Sequence, residues 1–386
     1  MRNSYSIKER EFLLYATGGI SALAGFILPV FMFSQNRVVN PYPIDTPFFI
    51  RTVYVFAALT SLMLCYPYKK QQVNIRLATI ILVVLAQIPW IMLAIVNNTI
   101  NPAPPARINP SLGFYFILLS VFLLSSSLFY RGYRLVRKTV FTFMLAGVFA
   151  VGFMGVFNNL GIVREYFSQS SVFLQAFFEH IRLAFGSTFF AITIGLPLGI
   201  AAYKKHGAKP WIMSITGGIQ TIPSLALFGF LIPILAWLSY IFPVLRQIGI
   251  KGIGPAPAFI ALTLYGLLPI VRNTTEGLTT VENSLLEAAR GMGLSKKQLF
   301  LWVELPVAMP IVLAGIRTSS VQAVGLTTIA ALIGAGGLGR FVFMGLGQSA
   351  YDLVGLGVFP IVSLAILTDK LWAFILRKTD RSSTND

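Results

Sequence analysis

The segment Ser284–Pro306, SLLEAARGMGLSKKQLFLWVELP, is the longest polar-rich interruption in the carboxyl half of a very apolar chain. Ser284 followed three residues later by Glu287 predicts a capping box, in which each side chain satisfies a backbone N–H that the first helical turn leaves unpaired. Good helix formers, Leu285, Leu286, Ala288, Ala289 and Arg290, then run into Gly291 and Gly293, residues able to supply the left-handed conformation that closes a helix. Ser295 with Gln298 repeats the capping pattern, and Leu299, Phe300, Trp302 and Val303 predict a second, more apolar helix that ends before Pro306. The stretch reads as helix, glycine elbow, helix. Exposed alanines beside a glycine leave a low surface that another backbone can approach, with Glu287 and Arg290 at its rim; the plainer alternative is an amphipathic surface hairpin.

Outward from this hairpin the chain is membrane-like. Of 386 residues, 56% are hydrophobic and only 11% charged, against about a quarter charged in soluble domains. Ten apolar runs each approach the roughly 20 residues that a helix needs to span the hydrocarbon core. They lie near 12–33, 49–67, 75–96, 111–130, 138–158, 177–203, 211–240, 255–273, 304–332 and 350–376. The expected fold is therefore all-α and polytopic, with a membrane extension over 1–160, an external linker over 161–176, a core over 177–376 holding the hairpin at 280–304, and a tail over 377–386.

The net charge of +17 is distributed by topology. With a cytoplasmic amino terminus, the alternate loops on that side carry 20 Lys and Arg against 6 on the other. This is the positive-inside pattern, and it predicts both termini in the cytoplasm. The charge thus reads as an orientation signal and a contact with membrane lipid, and nucleic acid is not expected as a partner.

Between Asp45 and Glu165 no acidic residue occurs, so the first five spans read as a packing unit, not an ion path. Cys65 is the only cysteine, which excludes an intrachain disulfide and a cysteine zinc site. His180, beside Glu179 and Arg182, is expected at the outer interface of a span, and His206 in a basic cytoplasmic turn. Asp352 and Asp369 lie in or near the last span, Asp369 directly before Lys370, without a second carboxylate for a proton relay. No catalytic constellation is expected. No G-x-x-x-x-G-K-[ST] occurs, so ATP is not held here by a Walker loop.

The spacing Glu287-Ala288-Ala289, Gly293, Val303, Leu305-Pro306 resembles the cytoplasmic coupling loop of ATP-binding-cassette importer permeases, with Val where that family more often has Ile. Five spans with the loop between the third and fourth resemble the core of a type I permease. Gln220, Thr221, Ile222, Pro223 and Ser224 place polar groups and a helix breaker within an apolar span, where freed backbone must face protein or a water-filled cavity. A similar Gln-Thr-x-Pro segment occurs in permeases for quaternary-amine osmoprotectants such as glycine betaine and choline. It makes Gln220, Thr221, Pro223 and Ser224 candidate lining of a translocation path; a proline kink satisfied by neighbouring helices is the alternative.

Tyr265–Arg272, YGLLPIVR, is similar to that family's span end. Gly334–Gly339, GAGGLG, formally fits a dinucleotide fingerprint but follows an apolar helix instead of a strand, and predicts a glycine-rich turn at the outer surface. The resemblance implies a permease of the bacterial cytoplasmic membrane, in a long form with extra amino-terminal spans. It implies a cytoplasmic ATPase dimer that holds ATP and Mg, an extracytoplasmic solute-binding protein and a second permease subunit, identical or homologous. No cofactor is expected on this chain. The ATPase would dock on Glu287, Ala288, Ala289, Arg290 and Gly293, with Leu305 and Pro306 closing the loop. An amino acid as solute, an ion-coupled transporter and a non-transporting scaffold or osmosensor stand as alternatives.

Overall fold

The computed structural model describes residues 2–35, 41–45, 53–60, 75–100, 106–130, 134–153, 155–205 and 207–382. Cys65, His206 and most of the span expected over 49–67 lie outside these residues. The chain divides into two compact units, Met1–Ser168 and Gln169–Asp386. By length and composition, six helices among the described residues can cross a membrane, one in the first unit and five in the second, and three shorter apolar helices lie in the first. The chain is an all-α polytopic membrane protein.

The first unit holds α1 (Arg2–Ile27), α2 (53–60), α3 (Ile75–Ile100), α4 (Leu112–Tyr130), α5 (Arg134–Phe153) and α6 (Gly161–Ser168). Its core is apolar, with Phe31, Leu82, Leu85, Ile117 and Leu124 fully buried. A small antiparallel sheet, β1 (Phe31–Ser34), β2 (Tyr42–Pro43) and β3 (Arg107–Pro110), was not apparent from the sequence; β1 lies in the middle, and Phe31 pairs with Pro110 and Met32 with Pro43. Prolines on both outer strands remove ladder donors and keep those strands short. Residues 161–176, expected as a linker, are helical, and Glu165 of α6 is buried against Arg107 of β3 at 2.6 Å.

The second unit comprises α7 (Ser170–Lys204), α8 (Lys209–Thr221), α9 (Ser224–Ile241), α10 (Pro243–Gln247), α11 (Pro255–Thr279), α12 (Asn283–Gly291), α13 (Lys296–Leu299), a π turn (Phe300–Glu304), α14 (Leu305–Ala330), α15 (Gly339–Gly347) and α16 (Tyr351–Ser382). Helix α11 is central, packed between α7 and α14. Small residues allow that approach, as is general where helices meet in lipid. Ala191, Gly195 and Gly199 recur every four residues along α7, and a Cβ on Gly199 would stand 2.6 Å from Thr274. On the other side a Cβ on Gly315 of α14 would stand 2.6 Å from the Pro269 carbonyl.

The glycine-rich turn sits on the start of α7. Gly334, Gly336 and Gly337 all have positive φ, and the N–H of Gly337 donates to Glu179 Oε2 at 3.1 Å. His180 is not interfacial as its charged neighbours suggested. It is fully buried beneath Gly337, with Nε2 3.0 Å from the Val324 carbonyl oxygen. The glycines of the turn are what let the backbone cover it.

The span expected over 211–240 is two helices, α8 and α9, broken at Ile222–Pro223. A second proline, Pro269, lies inside α11 and leaves the carbonyl of Tyr265, four residues earlier, without its helical donor. The two defects repair each other. Gln220 Nε2 donates to the Tyr265 carbonyl at 2.9 Å, and the Tyr265 hydroxyl donates back to the Ile222 carbonyl freed at the break.

This clasp predicts a specific coupling. Gln220→Leu is expected to cost about 1 kcal/mol of stability, but much less in a Pro269→Ala background, where the N–H of residue 269 takes the Tyr265 carbonyl. Thermal unfolding of the four proteins in detergent measures it, and an equal cost in both backgrounds would exclude the clasp.

Candidate functional site

The hairpin joins α11 to α14, which pack against each other along the second unit. Its first helix starts at Asn283, one residue before the expected Ser284, with Glu282 at the N-cap. The Ser284–Glu287 capping box does not form; the Ser284 hydroxyl donates to Glu282 Oε2 at 3.2 Å instead. With the helix already begun at Asn283, Ser284 lies inside its first turn and not at the N-cap, and Glu287 is left exposed. The second box is present: the Ser295 N–H donates to Gln298 Oε1 at 2.9 Å, and the Gln298 N–H to Ser295 Oγ at 3.4 Å.

Between the helices the chain turns at Gly293, whose φ is +83°. The Gly293 N–H donates to the Arg290 carbonyl at 2.9 Å and the Leu294 N–H to the Ala289 carbonyl at 3.3 Å. These two bonds make a Schellman closure, and Leu294 packs against the small core that holds Ala289. A Cβ on Gly293 would meet nothing within 4 Å. Within this subunit the glycine is required by backbone conformation alone.

The two alanines separate in role. Ala289 is 1% exposed and packs with Val281, Leu286 and Leu299 in a small core of the hairpin's own, which corrects the reading of both as surface. Residues three apart on a helix share a face, so Leu286 places Ala289 inside. Ala288 remains exposed with Glu287, Arg290, Gly291, Met292 and Gly293. That is a shallow surface of small residues and bare backbone, with one acidic and one basic group beside it.

The second helix does not end before Pro306. It continues from Lys296 through the π turn into α14 as a single run to Ile333. The Leu305 N–H reaches back five residues to the Phe300 carbonyl, and Pro306 follows directly on this π turn, where the regular four-residue ladder is already interrupted. Leu305 is half-buried and Pro306 exposed. At the same end of the unit, Lys204 at the end of α7 lies 4.1 Å above the Phe300 ring, a cation–π contact that ties the hairpin to a third helix.

The candidate path residues lie apart from this surface. Gln220 is half-buried, and its amide nitrogen donates to the Tyr265 carbonyl in the clasp, so it serves to repair the backbone. Thr221 is exposed, its hydroxyl donating to the Gly218 carbonyl at 2.7 Å. Pro223 caps α9 and is exposed, while Ser224 begins α9 and is half-buried. Tyr265 escaped the sequence reading as a partner of Gln220, although Pro269 four residues later marks its carbonyl as unpaired. Arg317 escaped it too, and it pairs with Asp369 across α14 and α16. No cluster of three His, Cys, Asp or Glu that could hold a metal ion occurs among the described residues.

Two family models divide the chain. Residues 191–381 match the binding-protein-dependent transport system inner membrane component, and residues 9–163 match the N-terminal domain of ABC transporter permease YehY. The choline transport system permease protein OpuBB of Bacillus subtilis is 36% identical over 201 residues, 52% of this chain and 85% of that protein. The osmoprotectant import permease protein OsmW of Salmonella typhimurium is 39% identical over 194 residues, 50% of this chain and 85% of that one. The glycine betaine/carnitine/choline transport system permease protein OpuCD of Bacillus subtilis is 33% identical over 226 residues, 58% of this chain and 90% of its own. With five spans, the hairpin between the third and fourth, and these matches, the chain belongs to the binding-protein-dependent inner membrane components, the permeases of ATP-binding-cassette importers.

Proposed function

We propose that this permease imports glycine betaine or a related quaternary-amine compatible solute, and that it is driven through the Asn283–Glu304 hairpin by a separate ATPase dimer. The solute class is favoured by relatives whose names specify choline, carnitine and glycine betaine. A solute-binding protein outside, a second permease subunit and cytoplasmic termini complete the assembly; the loop charges favour that orientation.

The observation that carries the docking is the exposed surface around Ala288, Gly291 and Gly293 on a hairpin with its own core. A lever must be stiff to transmit a displacement. This one is closed by the Schellman bonds, the Ser295–Gln298 box and the buried Leu286, Ala289 and Leu299. It is continuous with α14 and separated from α11 by only three residues. Closure of the ATPases on ATP would carry it as a body, and α11 would pass the movement to the clasp and so to the α8–α9 break. Switching between discrete packed arrangements is the general means by which such interfaces act at a distance.

Separate substitutions test surface and core. Ala288→Arg is expected to abolish co-purification of the ATPase while leaving the unfolding temperature of the permease unchanged, whereas Ala289→Asp, which buries an unpaired carboxylate, lowers permease abundance itself. Recovery of ATPase at wild-type stoichiometry with Ala288→Arg would exclude this docking surface.

Gly293→Ala is expected to cost roughly 1–2 kcal/mol, the strain of a left-handed residue with a Cβ. Gly293→Asn, tolerated in that conformation, should retain stability and lose the ATPase, since the added side chain occupies the contact. Uptake of glycine betaine by the complete importer should cease when the partner ATPase cannot hydrolyse ATP. Uptake that continues on an ion gradient alone would refute the ATP-driven assignment.

A further inference from the structure

Charges at membrane depth require a partner, protein or water, because hydrocarbon solvates none of them. Arg317 and Asp369 meet between α14 and α16: Arg317 Nε and Nη2 both approach Asp369 Oδ1, at 2.7 and 2.6 Å. Arg317 lies twelve residues beyond Leu305, the start of α14, or about 18 Å along the helix axis. Asp369 lies eight residues before Arg377, where the apolar stretch of α16 ends, or about 12 Å. Both depths fall well within a hydrocarbon core of about 30 Å.

The pair is not sealed in the bundle. Its side chains keep 36% and 43% of their exposure, and both contacts use a single carboxylate oxygen, so Arg317 Nη1 and Asp369 Oδ2 have no partner among the described residues. The adjoining face of α14 is polar or small: Thr318 and Gly325 are exposed, Gln322 is half-buried, and the space above Gly325 is open. Thr318 satisfies its hydroxyl on the Ala314 carbonyl at 3.0 Å, and the small residues leave room beside the pair for a solute or water.

We propose that Arg317 and Asp369 line the solute path near mid-membrane and hold a zwitterion in transit, the carboxylate of the solute at Arg317 Nη1 and its ammonium end toward Asp369 Oδ2. This rests on the quaternary-amine reading above and names the part of the permease that distinguishes a zwitterion. Arg317 and Asp369 nearly cancel for a distant ion, and Lys370, exposed beside Asp369, leaves the group one positive charge that disfavours a free cation. A zwitterion laid against the pair gains at both ends.

The test uses the complete importer, with its ATPase and binding protein, in cells without other uptake routes. In a Cys65→Ser background, Thr318→Cys is expected to react with a membrane-impermeant cationic thiosulfonate, and glycine betaine to slow that reaction. No reaction would mean that the face is closed by lipid or a second subunit, which overturns the proposal. Arg317→Gln should lower glycine betaine uptake about tenfold at unchanged abundance, and uptake of choline, which has no carboxylate, markedly less.

Exchange of the pair, Arg317→Asp with Asp369→Arg, should restore abundance lost in either single variant but not uptake. Uptake restored by the exchange, or untouched by Arg317→Gln, would reduce the pair to a brace between helices. A wild-type complex that imports no quaternary zwitterion while Thr318→Cys is labelled sinks the solute reading; one that imports glycine betaine while Thr318→Cys stays unlabelled sinks this inference alone.

Discussion

A backbone carbonyl freed inside a bilayer has no water to turn to, and this constraint organises the second unit. Two prolines, Pro223 and Pro269, each free a carbonyl near the same place. Gln220 answers one and Tyr265 the other. The break in the α8–α9 span is therefore more than a local bend: it is fastened to the helix that α7 and α14 enclose. A defect tolerated in this way joins elements as firmly as a packed core does, because leaving either carbonyl bare in hydrocarbon costs several kcal/mol.

The same helix α11 leads through Val281 into the hairpin, so one element connects the membrane break with the cytoplasmic surface. Glycine serves opposite purposes along this route. On α7 and α14, Gly199 and Gly315 are required by contact, since any Cβ would collide. At Gly293 there is room for a side chain and the demand is conformational. The hairpin consequently keeps its bare outer surface without depending on a neighbour in this subunit.

Much of the hairpin was legible because its signals are local: Ser295 with Gln298, and a glycine placed to close a helix. The errors came from non-local choices. Ser284 looked like a cap until the helix began at Asn283 with Glu282 at its N-cap, and Ala289 looked like surface until Leu286 and Leu299 enclosed it. Pro306 looked like a stop because proline lacks an N–H, but the π turn just before it already departs from the ladder that such an N–H would join. His180 was read from its charged sequence neighbours, whereas its surroundings come from Val324 and the glycine turn, more than 140 residues away. The clasp was half visible, in Pro269, and needed a partner 45 residues distant. The spans of the second unit were read well, since hydropathy over 20 residues depends on no distant contact.

The π turn at Phe300–Glu304 has one further effect. A wider turn takes in one residue more than an α turn, and each residue advances a helix by about 100°. The turn therefore sets the angular phase between the exposed face of the hairpin and the Thr318–Gly325 face of α14. Side-chain replacements at Phe300–Glu304 leave that phase alone; a single deletion there would keep every helix and every residue of both faces, yet aim the lever in another direction.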